Sequence, residues 1–197
     1  MSRVRQGFVR LAAGVPALVA LVAMPALAQQ AKPGQAWIAG GPAIGAVKLS
    51  CDNCTRPRDL GWQVSAAVGV VASRSLRPGL EASYWWGGDE DVSVQVISVS
   101  PVLYWQPSPQ SPLVLRGALG IASFQAQDDP DDDTPLRTRP IAIQLGAGYR
   151  VPLSRTLALV PYGNLQVSAN DDLIEGTTVV TSANVNGFAA GVMLQWR

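Results

Sequence analysis

The chain has 197 residues with 15 basic and 14 acidic side chains, and this balance does not provide the strongly basic surface of a nucleic-acid-binding protein. It contains no histidine, so the histidine-based triads of hydrolases are excluded, and we expect neither an enzyme nor a bound cofactor. Beyond the N-terminal region no stretch of 18 residues is continuously apolar, so we expect no transmembrane helix there.

The first 28 residues have the organisation of a cleaved secretory signal peptide. Three arginines within the first ten residues precede an apolar segment at 11–23, and Ala26-Leu27-Ala28 supplies the small residues required for cleavage. The alternative, an uncleaved membrane anchor, would need a longer apolar segment. We therefore predict a signal peptide at 1–28 and a short lead-in at 29–35. Because three basic residues lie in the signal peptide, the mature chain has 12 basic and 14 acidic residues, a net charge of −2.

From residue 36 onward, apolar side chains recur at every second position in eight segments. This alternation is typical of transmembrane β-barrel strands. The sixth segment shows it most clearly, since Ile141, Ile143 and Leu145 share one face while Ala142 and Gln144 share the other. The eight predicted strands are 36–49, 61–72, 79–87, 92–105, 113–125, 139–151, 156–169 and 184–197.

The fourth predicted strand departs from simple alternation. Val94 and Val96 are out of phase with Ile97 and Val99. A β-bulge inserts one residue and reverses the phase of all the residues that follow it. We therefore predict a bulge in this strand.

The two faces of the predicted strands differ in side-chain size. One face carries Val, Ile, Leu and Trp, whereas the other carries mainly Gly, Ala, Ser and Gln. A soluble barrel places its large apolar residues inside, whereas a membrane barrel places them outside against lipid. We therefore predict an eight-stranded antiparallel up-and-down transmembrane β-barrel over residues 36–197.

The connections between the predicted strands alternate in length and charge. The segments 73–78, 106–112 and 152–155 are short and rich in Pro and Ser, as expected of periplasmic turns. Thirteen of the 14 acidic residues lie in the other four connections, which we predict to be external loops: 50–60, 88–91, 126–138 and 170–183. Charges placed there avoid the hydrocarbon layer, in which they are costly.

Aromatic residues collect near both ends of the predicted strands. Amphipathic aromatic side chains favour the two membrane–water interfaces. We predict that an aromatic girdle is formed by Trp37, Trp62, Trp85, Trp86, Tyr104, Trp105, Tyr149, Phe188 and Trp196.

Three segments resemble the small outer-membrane barrel proteins of the OmpA/OmpX/OmpW type, the "outer membrane protein beta-barrel domain" family. They are the Trp-led first strand at 37–45, the Leu-Gly-Ala-Gly-Tyr run at 145–149 and the terminal alternation at 191–197. The resemblance covers residues 36–197 and concerns architecture rather than activity. It implies an outer-membrane location in a Gram-negative cell, contact with membrane lipid and lipopolysaccharide, and insertion by the barrel-assembly machinery.

Cys51 and Cys54 form a C-x-x-C motif in the first predicted external loop. We expect a small disulfide, since an exported protein folds in an oxidising compartment. A redox centre is the first alternative, although no helical pattern follows the motif as it does in thioredoxin-like proteins. Half of a metal site is the second, although the chain offers no histidine and no further cysteine.

A dense acidic run lies in the third predicted external loop, at 128–133. Its five aspartates are a potential site for Ca²⁺ or Mg²⁺, because hard cations bind carboxylate oxygens. The spacing lacks the pattern of a calcium-binding loop, and Pro130 interrupts it. A solvated loop and a site for divalent cations therefore both remain open.

Four charged residues have the strand parity of lumen positions: Lys48, Glu81, Arg116 and Arg150. Charges inside a narrow barrel must pair with each other or contact water. They form either an ion-pair plug that closes the lumen or the lining of a narrow conducting path. We favour the plug, because an eight-stranded interior is nearly filled by its own side chains.

Three functions follow from these observations. The first is an outer-membrane protein with a structural or surface-interaction role carried by its external loops, for example in membrane integrity, adhesion or shielding. The alternative is a porin-like narrow pore or transporter for a small or hydrophobic solute. The second alternative is a soluble secreted lipocalin-like binder.

Overall fold

The computed structural model describes residues 32–51, 58–88, 92–127 and 135–197, so the predicted signal peptide lies outside the described residues. None of these residues belongs to a helix that is long and apolar enough to cross a membrane. The strands are β1 (Ala36–Cys51), β2 (Asp59–Val70), β3 (Leu76–Gly88), β4 (Ser93–Trp105), β5 (Leu113–Gln127), β6 (Leu136–Thr138), β7 (Ile141–Tyr149), β8 (Val151–Pro152), β9 (Leu157–Ser168), β10 (Asp171–Glu175) and β11 (Thr178–Trp196).

The eight long strands form a closed antiparallel ring. Each of β1, β2, β3, β4, β5, β7, β9 and β11 pairs with the next in that order, and β11 pairs back with β1 from Ile38↔Trp196 to Cys51↔Ala183. The short strands β6 and β8 flank β7, whereas β10 continues β9. Closure leaves the long strands without an exposed sheet edge.

Side chains of the long strands alternate between the two faces of the barrel wall. Val64, Ile143, Leu145 and Val192 face outward and are between 40% and 61% exposed. Ser65, which follows Val64 in the strand, points inward and is buried. A continuous apolar wall of this kind does not suit an aqueous surface. The fold is a transmembrane β-barrel, and the lipocalin-like alternative does not fit this outer wall.

The predicted bulge in the fourth strand is wrong. β4 pairs with β3 in one unbroken register from Ser93↔Gly88 to Trp105↔Leu76. Val94 and Val96 are buried in the lumen, and the strand alternates from end to end. The apolar residues of this strand change from the inner to the outer face because Val94 and Val96 pack with other apolar side chains in the lumen. The backbone itself is regular.

The two ends of the barrel differ in their connections. At one end, here called the turn end, the short segments 71–75, 106–112 and 153–156 join the strands. At the opposite end, here called the loop end, β1, β3, β5 and β10 finish. Seven of the eight predicted strands match the observed boundaries to within three residues.

The exception is the last strand, which is longer than predicted. The segment 170–183, predicted to be a loop, forms a β-hairpin in which β10 pairs with the first part of β11, with Leu173↔Thr181 and Glu175↔Thr178. Gly176 lies at its tip with a φ of 59°, a left-handed conformation that glycine adopts without strain. Residues 178–181 are all Thr or Val, which favour strands but do not alternate in polarity.

Two of the turns share one sequence motif and one geometry. Ser73-Arg74-Ser75-Leu76 and Ser154-Arg155-Thr156-Leu157 occupy equivalent positions before β3 and β9. In each, the hydroxyl of the first serine accepts hydrogen bonds from the backbone amides of the third and fourth residues of the motif, at 3.1 to 3.2 Å. Serine stabilises tight turns in this way. Both arginines are exposed as a result.

Candidate functional site

The centre of the lumen holds a buried ion pair. Glu81 on β3 and Arg116 on β5 are 5% and 7% exposed. Arg116 Nε donates to Glu81 Oε2 at 3.0 Å, and its Nη2 donates to Glu81 Oε1. Tyr104 on β4, between them in the wall, donates its hydroxyl proton to Glu81 Oε2 at 2.7 Å. The carboxylate is therefore held by a bidentate guanidinium and a phenol.

Two further donors of Arg116 are bound by amide oxygens from the next two strands of the ring, β7 and β9. Nη1 donates to Asn164 Oδ1 at 2.8 Å, and Nη2 donates to Gln144 Oε1 at 2.6 Å. Gln144 in turn donates to Gln166 Oε1 at 3.1 Å. A buried ion pair is tolerated when its leftover hydrogen-bonding groups are bound. Here four of the five Arg116 N–H groups are bound, and the network joins five adjacent strands, β3, β4, β5, β7 and β9.

Only two of the four predicted lumen charges come together. Glu81 and Arg116 form the central pair. The lumen position predicted for Lys48 is wrong, because its neighbours Val47 and Leu49 pack inside the barrel and Lys48 has the outward parity of β1. Arg150 follows β7 at the turn end, where its amide donates to Pro112 O at 2.7 Å. The plug therefore consists of one pair and its amide partners.

An apolar cluster packs between this pair and the turn end. The turn-end cluster contains Trp37, Ala39, Ala67, Val71, Val102, Tyr104, Val114, Ala118, Val160 and Met193. Trp37 and Tyr104 meet edge to face, with ring centroids 5.2 Å apart. Their contact fills the lumen on this side of the ion pair.

A second apolar cluster packs on the other side, towards the loop end. The loop-end cluster contains Val47, Trp85, Val94, Val96, Ala122, Phe124, Ala126, Ala142 and Val185. The lumen is thus layered as apolar, polar and apolar along its axis. Two interior cavities, one beside Ser98 and one beside Tyr162, have volumes of about 20 Å³ each, which is room for a single water molecule.

Three of the nine predicted girdle residues are wrong. Trp37, Trp85 and Tyr104 are 1%, 3% and 6% exposed and lie inside the barrel. Alternation along the strand would have placed Trp85 and Tyr104 inside, because Trp85 is on the same face of β3 as Glu81 and Tyr104 is on the same face of β4 as Val102. The other six face outward: Trp62, Trp86 and Phe188 near the loop end, and Trp105, Tyr149 and Trp196 near the turn end.

Each inward tryptophan lies over a pair of glycines on β2 and β3. Gly69 pairs with Gly79, and a Cβ atom on either would lie 2.8 Å from Trp37 Cζ2. Gly61 pairs with Gly87, and a Cβ atom on either would lie within 2.8 Å of the Trp85 ring. The missing side chains therefore make room for the rings, which in turn cover the glycine backbones.

The sequence matches no protein-family model and no curated protein. Solved structures do match it. Neisserial surface protein A aligns with a TM-score of 0.60 at 12% identity, over 82% of this chain and 98% of that chain. Ail, the attachment invasion locus protein of Yersinia pestis, aligns with a TM-score of 0.53 at 14% identity, over 84% and 100%. The outer membrane protein AlkL aligns with a TM-score of 0.52 at 14% identity, over 88% and 94%.

The fold is that of the small outer-membrane β-barrel proteins. All three matched structures are covered almost completely by the described strands, so the similarity includes the whole barrel and not one hairpin. With identities of 12% to 14%, it shows the fold and leaves the role to be argued from this chain's own residues.

The β10–β11 hairpin is the main described feature of the barrel at its loop end. Ile174, Val179 and Val180 are 37% to 56% exposed. Val179 and Val180 are consecutive, so they point to opposite faces, and both faces of the hairpin are therefore exposed. These three apolar residues are exposed beside polar ones, Asp172, Glu175, Thr177 and Thr178.

The base of the hairpin is fixed to the barrel wall by side-chain hydrogen bonds. Asp171 Oδ2 accepts from the Arg139 amide at 2.8 Å and from the Thr138 hydroxyl at 3.2 Å. Asn184 donates to Asn170 Oδ1 at 3.0 Å. The two Asp171 bonds span the interruption between β6 and β7, where the ladder with β9 and β10 shifts by one residue. The Asn184 bond joins the two strands of the hairpin itself.

Two predicted sites at the loop end are only partly within the described residues. Cys51 ends β1 and is not a free thiol. Cys54 lies outside the described residues, so the disulfide between them stays a prediction. The acidic run at 128–133, with its predicted divalent cations, also lies outside them.

Proposed function

We propose that this protein is an outer-membrane barrel, exported through a cleaved signal peptide at 1–28, that acts at the surface of a Gram-negative cell through its loop end. The observation that supports this most directly is the filled lumen. A conducting path would have to cross both apolar clusters and the Glu81–Arg116 pair. The interior therefore contributes to stability, and we place the function on the surface of the barrel at its loop end.

The orientation of the proposed barrel follows from its two ends. Short turns face the periplasm in outer-membrane barrels, whereas the longer connections face outward. We accordingly propose that the turn end is periplasmic and that the loop end, including the β10–β11 hairpin, is external. Insertion by the assembly machinery and contact with lipopolysaccharide at the external side belong to the same proposal.

The hairpin supports a surface-interaction role rather than a purely structural one. Three large apolar side chains of the hairpin, Ile174, Val179 and Val180, remain 37% to 56% exposed at the loop end. Exposed apolar residues raised above a membrane surface are suited to contact with another apolar surface. The attachment invasion locus protein among the matched structures carries a name consistent with this class of role.

The hairpin can be tested by a variant that keeps its backbone. Cells that produce the full-length precursor are compared with cells that produce the triple variant I174S/V179S/V180S, and adhesion to hydrocarbon droplets and to abiotic surfaces is measured. We expect adhesion to fall several-fold in the variant. The control is L153S at the turn end, which removes an exposed leucine from the proposed periplasmic side and should leave adhesion unchanged.

Two measurements test the rest of the proposal. Purified outer membranes should contain the protein as a species whose mobility on SDS gels shifts on heating. Planar bilayers containing the pure protein should show no stepwise conductance. Clear single-channel steps would contradict the surface role and support the narrow-pore alternative. Recovery of the protein from the soluble periplasm would contradict the location.

A further inference from the structure

The turn end carries a group of cations without acidic side chains nearby. Lys32, Arg74, Arg77, Arg150, Arg155 and Arg197 all lie there. Of the acidic residues that the structure describes, Asp59, Asp171, Asp172 and Glu175 lie at the loop end, and Glu81 is bound to Arg116. The described side chains at the turn end therefore carry positive charge without acidic neighbours.

Arg77 is the most buried of these cations. It is 4% exposed and points into the lumen, although the sequence had placed it in a periplasmic turn. Its Nη1 donates to Gln195 Oε1 and its Nη2 donates to Gln106 Oε1, both at 3.2 Å. These acceptors are neutral amides. They orient the guanidinium without compensating its charge, and they engage two of its five N–H groups.

Two further arginines lie at the same end of the barrel. Arg197 follows Gln195, whose side chain binds Arg77, by two positions and therefore has the same inward parity. Arg150 Nε is buried and has no hydrogen-bond partner among the described residues. Gln106 links Arg77 to the β4–β5 turn, because it accepts from Arg77 and donates to Ser111 O, next to the Pro112 carbonyl that binds the Arg150 amide. We call Arg77, Arg150 and Arg197 the turn-end arginine cluster.

The cluster contrasts with the central ion pair in the same lumen. Arg116 has a carboxylate partner and amide acceptors for its other donors, whereas Arg77 has amides alone. A buried guanidinium without a counter-charge is costly. Guanidinium groups bind planar or tetrahedral oxyanions through paired N–H donors. Arg150 and Arg197 are partly exposed, so the cluster is reachable from the opening.

We propose that the turn-end arginine cluster binds a tetrahedral oxyanion of the phosphate class, with Arg77 as its principal ligand. The anion is either free phosphate or the phosphate of an anionic lipid headgroup, and both present the same oxygens to the arginines. This site lies at the opposite end from the hairpin, so the inference does not rest on the proposed surface role.

The direct test is a titration of the folded barrel with a defined anion. Full-length mature protein in a neutral alkyl maltoside detergent, free of phosphate, is titrated with sodium phosphate in a calorimeter, with sodium chloride at equal ionic strength as the reference. We expect saturable binding of one phosphate per barrel and no comparable heat with chloride. The variant R77Q should bind at least tenfold more weakly, and R150Q should bind several-fold more weakly.

The matched controls are the two exposed arginines of the repeated turn motif. R74Q and R155Q remove the same charge from the same end and should retain wild-type phosphate affinity. If R77Q does not fold, as judged by heat-modifiable mobility, the wild-type isotherm and R150Q still decide the question. Absence of saturable phosphate binding to the wild-type barrel would overturn the site, as would equal affinity in R77Q and the wild type.

A second titration distinguishes the two sources of the anion. Dihexanoyl phosphatidylglycerol is added to the barrel in the presence and absence of saturating phosphate. If the lipid binds more tightly than phosphate and displaces it, the natural occupant is a lipid headgroup of the proposed inner leaflet. If phosphate binds and the lipid does not compete, the occupant is a free anion. Both results support the cluster as an oxyanion site.

Discussion

The Tyr104 hydroxyl lies 2.7 Å from Glu81 Oε2, inside a barrel whose outer wall is apolar. The same oxygen accepts from Arg116 Nε at 3.0 Å, so one carboxylate joins three neighbouring strands of the wall. This arrangement gives the lumen a polar layer that specifies which side chains face each other. It also separates two apolar clusters that close the interior on either side.

The first prediction concerns the ion pair. Arg116→Met leaves the Glu81 carboxylate buried without its cation, and we expect it to lower the free energy of unfolding by about 3–5 kcal/mol. The double variant E81L/R116M should recover much of this loss, because an apolar pair leaves no buried charge. Urea unfolding in lipid vesicles measures both values. An Arg116→Met variant as stable as the wild type would contradict the prediction that the buried Glu81 carboxylate is destabilising without its cation.

The second prediction concerns the phenol in the same layer. Tyr104→Phe removes one hydrogen bond to a charged acceptor and should cost about 1.5–3 kcal/mol. Tyr149→Phe on the outer wall, where the ring is 47% exposed, should leave stability within about 0.5 kcal/mol of the wild type. The same urea unfolding assay provides the comparison. Equal effects of the two substitutions would contradict a role for the Tyr104 hydroxyl.

The third prediction concerns the glycines beneath the inward tryptophans. An alanine at Gly79 places its Cβ 2.4 Å from Val68 O and 2.8 Å from Trp37 Cζ2, so the strand pair or the ring must move. We expect Gly79→Ala to destabilise the barrel by about 1–3 kcal/mol. Gly163→Ala is the control, because no atom lies within 4 Å of its added Cβ. A neutral Gly79→Ala would mean that the Trp37 packing is loose.

The fourth prediction concerns the base of the hairpin. Asp171→Ala removes the acceptor of the Arg139 amide and the Thr138 hydroxyl, so the hairpin should open more often while the ring stays folded. We expect faster cleavage within 170–183 by an added protease, with unchanged heat-modifiable mobility. Asp172→Ala, an exposed neighbour, serves as the control. Equal cleavage rates in the two variants would contradict this role for Asp171.

The barrel itself could be predicted from the sequence because its outer face is uniform. Ile141, Ile143 and Leu145 contact the same medium, and the period of two follows directly from that requirement. Glu81 and Arg116 could be placed in the lumen by the same parity. Their pairing with each other, however, depends on register across β3, β4 and β5, which a pattern of single strands does not contain.

The errors have a common physical origin in the lumen. Trp37, Trp85 and Tyr104 were assigned to the girdle by their distance from the strand ends, although their parity placed them inside. The lumen accepts these rings because paired glycines, such as Gly69 and Gly79, leave space on the facing strands. The sequence predicts Arg77 in a turn, because the apolar alternation starts later in the chain than β3 does in the structure.

The central claim is that bulky residues of the strands face lipid while their immediate neighbours face a filled lumen. Spin labels at Val64→Cys and Ser65→Cys, each in a background with Cys51 and Cys54 changed to Ser, test it most directly in bilayers. We expect the label at residue 64 to be mobile and readily accessible to oxygen dissolved in the lipid, and the label at residue 65 to be immobile and inaccessible. A label at residue 64 that is immobile and shielded, with the label at residue 65 in contact with lipid, would contradict the account.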